Sequence, residues 1–388
     1  MRRNVIFIAF CMLIVFSIYS CTRKKKDSQD IKVPIERINV EVLDSELDGA
    51  FDNFFEKSRI VAFETTRESV IGTIGRIIMY KDLFFVLNRD ANNVLVFDAS
   101  GKFLNKIGKK GNGMGVYDSL TDFVINEDKN LVILYSDRPY KLLTYQLDGK
   151  FLSEEYLDGL YTTIAYKNDR LLLMNQDVRR DFRIFIKTLD NSKLEGFLSM
   201  NKSDKTFQNF VISNPYIVKS KNTYIYYPYC DTVFTIMHDQ IIPKYVIDFG
   251  KGSMPKDIFD RGGSAENIFN MAKEMNYGYR ITNFRETNDY ITFSYGNNRV
   301  IVYSKELKKA KAFDLILNKD QLPLINYFAH DGDDNNFITL YSAKNFRLQM
   351  DSYQKIDTLW NKMPQDLKRL NKTINETSNP LIILSTLK

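Results

Sequence analysis

The residues of this 388-residue chain best suited to chemistry recur at matched places in a repeat. They are Arg89-Asp90, Asp137-Arg138, Arg179-Arg180-Asp181, and Tyr229 with Asp231. Lys109, Lys110, Tyr117 and Tyr161 lie in the segments that link one repeat to the next. A guanidinium offers paired donors to a carboxylate, and a phenol ring offers a flat platform. Gathered on one rim, these side chains would suit a carboxylate, a sugar or a peptide segment. Read without a ligand, the same residues are solvated turn charges making local pairs.

Other chemistries fit less well. Gly108, Gly111, Gly113 and Gly115 could cradle a phosphate only if a helix began at their end. Residues 119–126 read instead as a strand, so the glycine loop is expected to connect two repeats. The turn Asp331-Gly332-Asp333-Asp334-Asn335 lacks the residue order and distant Glu of a calcium loop, and reads as a hairpin turn. Two histidines, His238 and His330, cannot build a multi-histidine zinc site. No Gly-x-Ser-x-Gly elbow is present. With Cys11 in the leader and Cys21 at the start of the tether, Cys230 has no cysteine partner and reads as a half-buried residue at a strand end. No cofactor or metal is expected.

The elements that must position these residues are strands. Polar turns centred on Asp90, Asp137, Asp181, Asp231, Asn297 and Lys344 each sit between two apolar runs. The runs before them are 83–87, 131–135, 171–174, 224–227, 290–294 and 337–341; those after are 94–97, 141–145, 183–186, 233–236, 299–303 and 346–350. Most steps are roughly 45–50 residues, the length of a four-stranded propeller blade. Each repeat opens on a further strand, at 73–80, 121–126, 161–166, 209–218, 280–285 and 324–330. A second hairpin is clearest where Phe97-Asp98-Ala99-Ser100-Gly101-Lys102-Phe103-Leu104 matches Tyr145-Gln146-Leu147-Asp148-Gly149-Lys150-Phe151-Leu152.

These features predict an all-β, six-bladed propeller of four-stranded antiparallel blades spanning residues 31–388. The sixth repeat has a poor fourth strand, so an early strand at 59–64 is expected to complete it and close the ring. Residues 31–43 read as a strand and 44–57 as a loop or short helix. A helical insert is expected at about 254–277, between blades 4 and 5, from the spacing of Ile268, Phe269, Ala272 and Met275. Residues 355–378 read as partly helical, followed by a terminal strand that docks on the body. The 28 Phe and 23 Tyr suit the packing between blades. Turns between second and third strands share one end of a propeller with the blade-to-blade loops, which is what brings the opening residues together.

Residues 1–20 are set apart from this body. Arg2 and Arg3 precede an apolar run over 5–18, too short to span a bilayer but suited to a secretory signal. Ser20-Cys21 after that run resembles the lipobox of bacterial lipoproteins. The resemblance implies cleavage before Cys21, lipidation of Cys21, and a polar tether over 21–30. The formal charge of +6 falls to about +2 for the body, because Arg2, Arg3 and Arg23–Lys26, together with Asp27 and Asp30, belong to leader and tether. Nucleic acid is therefore not expected as a partner. Lys24, Lys25 and Lys26 would sit against phospholipid headgroups.

Phe97-Asp98-x-x-Gly101-Lys102-Phe103, Ile107-Gly108-x-x-Gly111-x-Gly113-x-Gly115-x-Tyr117 and the closing Asn379-Pro380 together resemble the six-bladed β-propeller lipoproteins of Bacteroidetes, related in fold to NHL and TolB-like propellers. The usual Gly-Pro-Gly-Glu-Tyr of that family is here Gly113-Met114-Gly115-Val116-Tyr117. The resemblance implies the fold and export, and no settled activity. Surface lipoproteins of that group carry acidic residues after the lipidated cysteine; Lys24–Lys26 point to the periplasmic side of the outer membrane. The expected function is a monomeric, lipid-anchored module binding a ligand or envelope protein at the rim. The alternatives are a metal-assisted lactonase- or lyase-like enzyme in the central channel, and a structural component of an envelope complex.

Overall fold

A computed structural model of the chain describes residues 34–40, 45–50, 53–190, 193–207, 216–237, 240–259, 264–295, 299–317 and 336–388. The leader and tether with Cys21, both histidines, the expected strand 324–330, the acidic turn 331–335 and the Asn297 turn lie outside these residues.

Six sheets succeed one another around a ring. Blade 1 holds Ile74–Tyr80, Leu83–Asn88, Asn93–Asp98 and Phe103–Ile107. Blade 2 holds Ser119–Asn126, Leu131–Arg138, Tyr140–Gln146 and Phe151–Tyr156, and blade 3 Tyr161–Lys167, Arg170–Asn175, Phe182–Thr188 and Leu194–Ser199. Blade 4 is Ile217–Lys219, Thr223–Ile225, Thr232–Met237 and Gln240–Asp248; blade 5 is Ile281–Glu286, Tyr290–Tyr295, Arg299–Ser304 and Lys309–Leu317. Neighbouring strands within these four-stranded sets are antiparallel, as expected from the paired hairpins.

The sixth blade differs from the sequence reading in one strand and agrees in another. Its described strands are Asn336–Tyr341, Leu381–Leu387 and Phe55–Ala62, in that order. The early strand thus completes the last sheet, pairing Ile60 with Ile383 and Ala62 with Leu381. The third strand is the C-terminal one. Residues 346–350, expected as a strand, lie in the helix Ala343–Gln354. Ser342 caps that helix by accepting from the Asn345 N–H at 3.1 Å, and Ala343, Phe346 and Met350 form one buried face at helical spacing. Helices Asp357–Lys362 and Gln365–Thr373 follow before the chain returns as a strand.

The N-terminal region also departs from expectation. Within 44–57, read as a loop or short helix, Ser45–Ala50 is a strand lying parallel to Lys309–Leu317 of blade 5. Glu36–Asn39 lies parallel to Gln240–Asp248 of blade 4. Blades 4 and 5 therefore have five strands, their outer edges covered. The insert between them carries the helix Ala265–Glu274, capped by Ser264 and packed through Ala265 and Ile268 against Ile258.

Apolar layers between blades hold the ring. Phe85, Leu87, Val94 and Val96 of blade 1 meet Phe123, Ile125 and Leu134 of blade 2. Val61, Ile338 and Ile382 of blade 6 meet Ile77, Phe84 and Phe97 of blade 1, so the last blade abuts the first. The repeated glycines have a packing role beyond their turns. Gly101 has φ of 89°, and a Cβ there would come within 2.2 Å of the Ala62 carbonyl oxygen in blade 6. Gly149, at φ of 92°, approaches Lys106 O of blade 1 in the same way, at 2.9 Å. Each turn leans on the outer strand of the preceding blade, which no larger residue would allow. At the hub, buried Arg76 donates to Asp122 Oδ2 at 2.8 Å and to Ile164 O at 2.8 Å, joining the inner strands of blades 1, 2 and 3.

Closure converges on Asn379. Its side-chain oxygen accepts from the Ile71 N–H, and its amide donates to the carbonyls of Glu64 and Ser69, all at 2.8 Å. The C-terminal strand is thereby tied to the segment joining blade 6 to blade 1. Asn379→Ala strands three polar backbone groups, each worth about 1–3 kcal/mol when buried and unpaired, and is expected to cost about 3 kcal/mol in all. Urea unfolding monitored by tyrosine fluorescence measures this; a loss under about 1 kcal/mol would show that the clamp is dispensable.

Candidate functional site

Most of the expected rim residues are engaged locally. Arg179 donates to Asp177 at 2.6 Å and pulls that carboxyl down to about 2. Arg180 donates to Tyr161 Oη and to Asp158, and lies over the Phe185 ring at 4.9 Å. Asp181 accepts from Lys205, Asp231 from the Thr232 hydroxyl, and Asp90 from the Thr73 N–H. Arg89 donates to Thr121 O of the next blade. Arg138 is exposed, 4.0 Å from Asp137. Lys109 and Lys110 are exposed on the glycine loop. That loop does connect two blades, held where Glu154 accepts from the Gly115 N–H and from Lys141, both at 2.8 Å.

Three of the expected aromatic platforms are used elsewhere. Tyr117 and Tyr161 are fully buried, so their rings face neighbouring blades and no ligand at the rim can stack on them. Tyr117 donates to Asn92 O and Tyr161 to Asp158 O. Tyr229 stacks on Tyr279 at 6.3 Å and packs beneath the inserted helix. Cys230 is half-buried and its thiol is pushed up by burial, consistent with a packing role.

A different group of side chains converges on a cleft of about 740 Å³ between blades 4 and 5. It draws on the other set of turns, those linking first to second and third to fourth strands. Glu286 ends the inner strand Ile281–Glu286 and is only 4 % exposed. Lys305 follows the third strand Arg299–Ser304 and donates to Glu286 Oε1 and, at 2.6 Å, to Thr287 O. Lys244 donates to Glu286 Oε2 at 3.0 Å and meets the Tyr224 hydroxyl at 3.1 Å. Tyr224 itself donates to Glu286.

Local backbone chemistry explains how an outer-strand lysine reaches this point. Val233 pairs with Tyr245 and Phe234 with Pro243, leaving Lys244 as the extra residue of a bulge. Pro243 has no N–H to give to the ladder, and a bulge is where a strand tolerates it. The bulge re-aims Lys244 inward. Its ammonium lies 5.3 Å from the Tyr224 ring centre and 5.1 Å from that of Tyr245. From the added strand, Glu36 accepts from Tyr303 Oη at 2.8 Å and lines the same cleft.

The electrostatics are unbalanced. One buried carboxylate, Glu286, serves two ammonium groups; Lys308 also lines the cleft, Glu36 supplies the second carboxylate, and Arg37 is paired with Asp248 at 2.8 Å. Burial pushes the Lys244 amine down to about 8, assisted by the nearby positive charges of Lys305 and Lys221. Burial pushes the Glu286 carboxyl above its ordinary value, opposed by its bond to Lys305. An anion entering the cleft would relieve this excess of positive charge. Sequence reading passed over Lys244, Glu286 and Lys305 because they lie far apart and within or beside strands. The one local signal was Pro243-Lys244 inside an outer-strand run, which marks a bulge.

Among the described residues, no cluster of three or more His, Cys, Asp or Glu side chains is arranged to hold a metal ion. Nor, among them, is any helix long and apolar enough to cross a membrane. Comparison with curated proteins finds no match. A solved structure of a Bacteroides fragilis NCTC 9343 protein inferred to be exported is similar, at 19% identity and a TM-score of 0.74, over 91% of this chain and 99% of that one. A member of the DUF4221 family from Bacteroides vulgatus ATCC 8482 shares 10% identity over 86% of this chain and 97% of that one; its TM-score of 0.47 supports no argument. The first likeness shows the propeller fold. The family profile described as "Domain of unknown function (DUF4934)" matches residues 35–386, nearly all of the propeller, and the chain therefore belongs to the DUF4934 family.

Proposed function

We propose that the protein is an exported, lipid-anchored binding module that holds a small anionic ligand in the cleft between blades 4 and 5. The observation that carries this reading is the pair Lys244 and Lys305 sharing one buried carboxylate beside an open cleft. Two half-buried ammonium groups against one carboxylate leave a positive charge that water alone solvates poorly there. A carboxylate on the ligand would complete the set. At the rim, by contrast, Arg179, Arg180 and Asp181 each pair with a single opposite charge, Asp177, Asp158 and Lys205.

Export and anchoring are supported by the Arg2-Arg3 start, the apolar run 5–18 and Cys21. The B. fragilis neighbour inferred to be exported agrees with that assignment. The basic run Arg23–Lys26 suits a tether lying on anionic headgroups at the periplasmic side of the outer membrane.

Two measurements test this reading. Calorimetric titration of the purified body with lactate is expected to show binding that Lys305→Met weakens about tenfold, the equivalent of about 1.4 kcal/mol. Affinity should also fall between pH 7 and pH 9. The Lys244 amine is charged below about 8 and attracts the anion, and it loses that charge as pH rises through this value. Affinity that stays flat to pH 9, or survives Lys305→Met, would remove the cleft from consideration. For the anchor, cells fed radiolabelled palmitate should label the wild type and not Cys21→Ser, which should leave the membrane fraction. A labelled Cys21→Ser protein would contradict the lipidation assignment.

A further inference from the structure

We infer that Lys244 is a carbonyl-condensing amine, and that the anion the cleft takes is a small 2-oxo acid held as a reversible imine. This rests on the anion-binding reading of the same cleft and adds a covalent step to it. Three observations meet at one atom. Lys244 Nζ lies 3.0 Å from a carboxylate oxygen of Glu286 and 3.1 Å from the Tyr224 hydroxyl, so a proton acceptor and a proton relay flank the amine. The bulge at Pro243-Lys244 directs it into the cleft, where its side chain stays 23% exposed and open to a ligand. Lys305 occupies the other oxygen of Glu286, leaving a second ammonium for the ligand's carboxylate. An imine needs a carbonyl and the charge excess needs an anion; a 2-oxo acid carries both on adjacent carbons.

The step balances within this group. Lys244 passes its extra proton to Glu286, a transfer favoured by a buried carboxyl raised above its ordinary value and an amine lowered from 10.5 to about 8. The uncharged Nζ adds to the carbonyl carbon while Glu286, directly or through Tyr224, protonates the carbonyl oxygen. One N–H proton returns to Glu286, and the carbinolamine hydroxyl then leaves with it as water. A C=N bond replaces C=O, the protonated imine keeps the positive charge beside Glu286, and no electrons change hands. At neutral pH the lowered amine holds a neutral fraction on the order of a hundredfold that of an ordinary lysine.

The test traps the imine. The full body is incubated with pyruvate and sodium cyanoborohydride, which supplies the hydride that fixes the adduct as a secondary amine, and labelled peptides are mapped by mass spectrometry. Lactate, which keeps the carboxylate and lacks the ketone, serves as competitor and as the calorimetric ligand. The inference expects labelling at Lys244 roughly a hundredfold above exposed lysines, in line with its neutral fraction. It also expects suppression by excess lactate and no transfer of label to Lys305 in a folded Lys244→Arg protein. If lactate and pyruvate both bind by calorimetry and Lys244 stays unlabelled, condensation is refuted while the anion cleft stands. Label spread over exposed lysines in proportion to their accessibility refutes it equally. If neither acid binds, the cleft reading and the inference fall together.

Discussion

The ring closes where its last sheet is completed by a strand from the N-terminal segment, and that pairing governs this molecule. Leu381–Leu387 and Phe55–Ala62 join chain ends more than three hundred residues apart in sequence. Asn379 fixes the junction by bonding to both sides of the turn that leads into blade 1. Without this closure, blades 1 and 6 would each expose an apolar face, since each blade buries its side chains only against its neighbours. The Gly101 turn, seated on the Ala62 carbonyl, depends on the same contact.

Closure also shapes the cleft. Before reaching blade 6 the N-terminal segment lays Glu36–Asn39 along blade 4 and Ser45–Ala50 along blade 5. One strap therefore covers two outer edges and then becomes the closing strand. Its first strand brings Glu36 to the mouth of the cleft, where Tyr303 of blade 5 donates to it. The polar groups of the cleft thus come from the strap, from an outer strand of blade 4, and from the inner strand and a turn of blade 5. Two other buried charge pairs are matched one to one, Arg76 with Asp122 and Lys141 with Glu154. The Glu286 group, two cations to one anion, departs from that pairing, and perturbed ionisable groups in a cleft mark a candidate functional site.

Much of the architecture was legible because it repeats. The turns centred on Asp90, Asp137 and Asp181 and the Gly-Lys-Phe-Leu sequences at Gly101 and Gly149 are two signals that repeat at similar spacing. What could not be read was set by tertiary context. Phe346 and Met350 satisfy a short strand and a helix equally well, and Ser342 with Ala343 settles the matter for the helix. The segment at 45–50 carries no strong strand pattern and is held by an edge that the sequence does not display. The cleft was invisible for the same reason. Lys244 is turned inward by a bulge, while the rim residues were found because they sit in turns, where sequence reasoning looks first.

The central claim is that ligand is held between blades 4 and 5 and not at the turns around Arg138 and Arg179. A crystal structure of the protein grown with lactate tests it most directly. The account predicts density for the acid in the cleft, its carboxylate in contact with Lys305 and within reach of Lys244. Density at the rim, with an empty cleft, would contradict it.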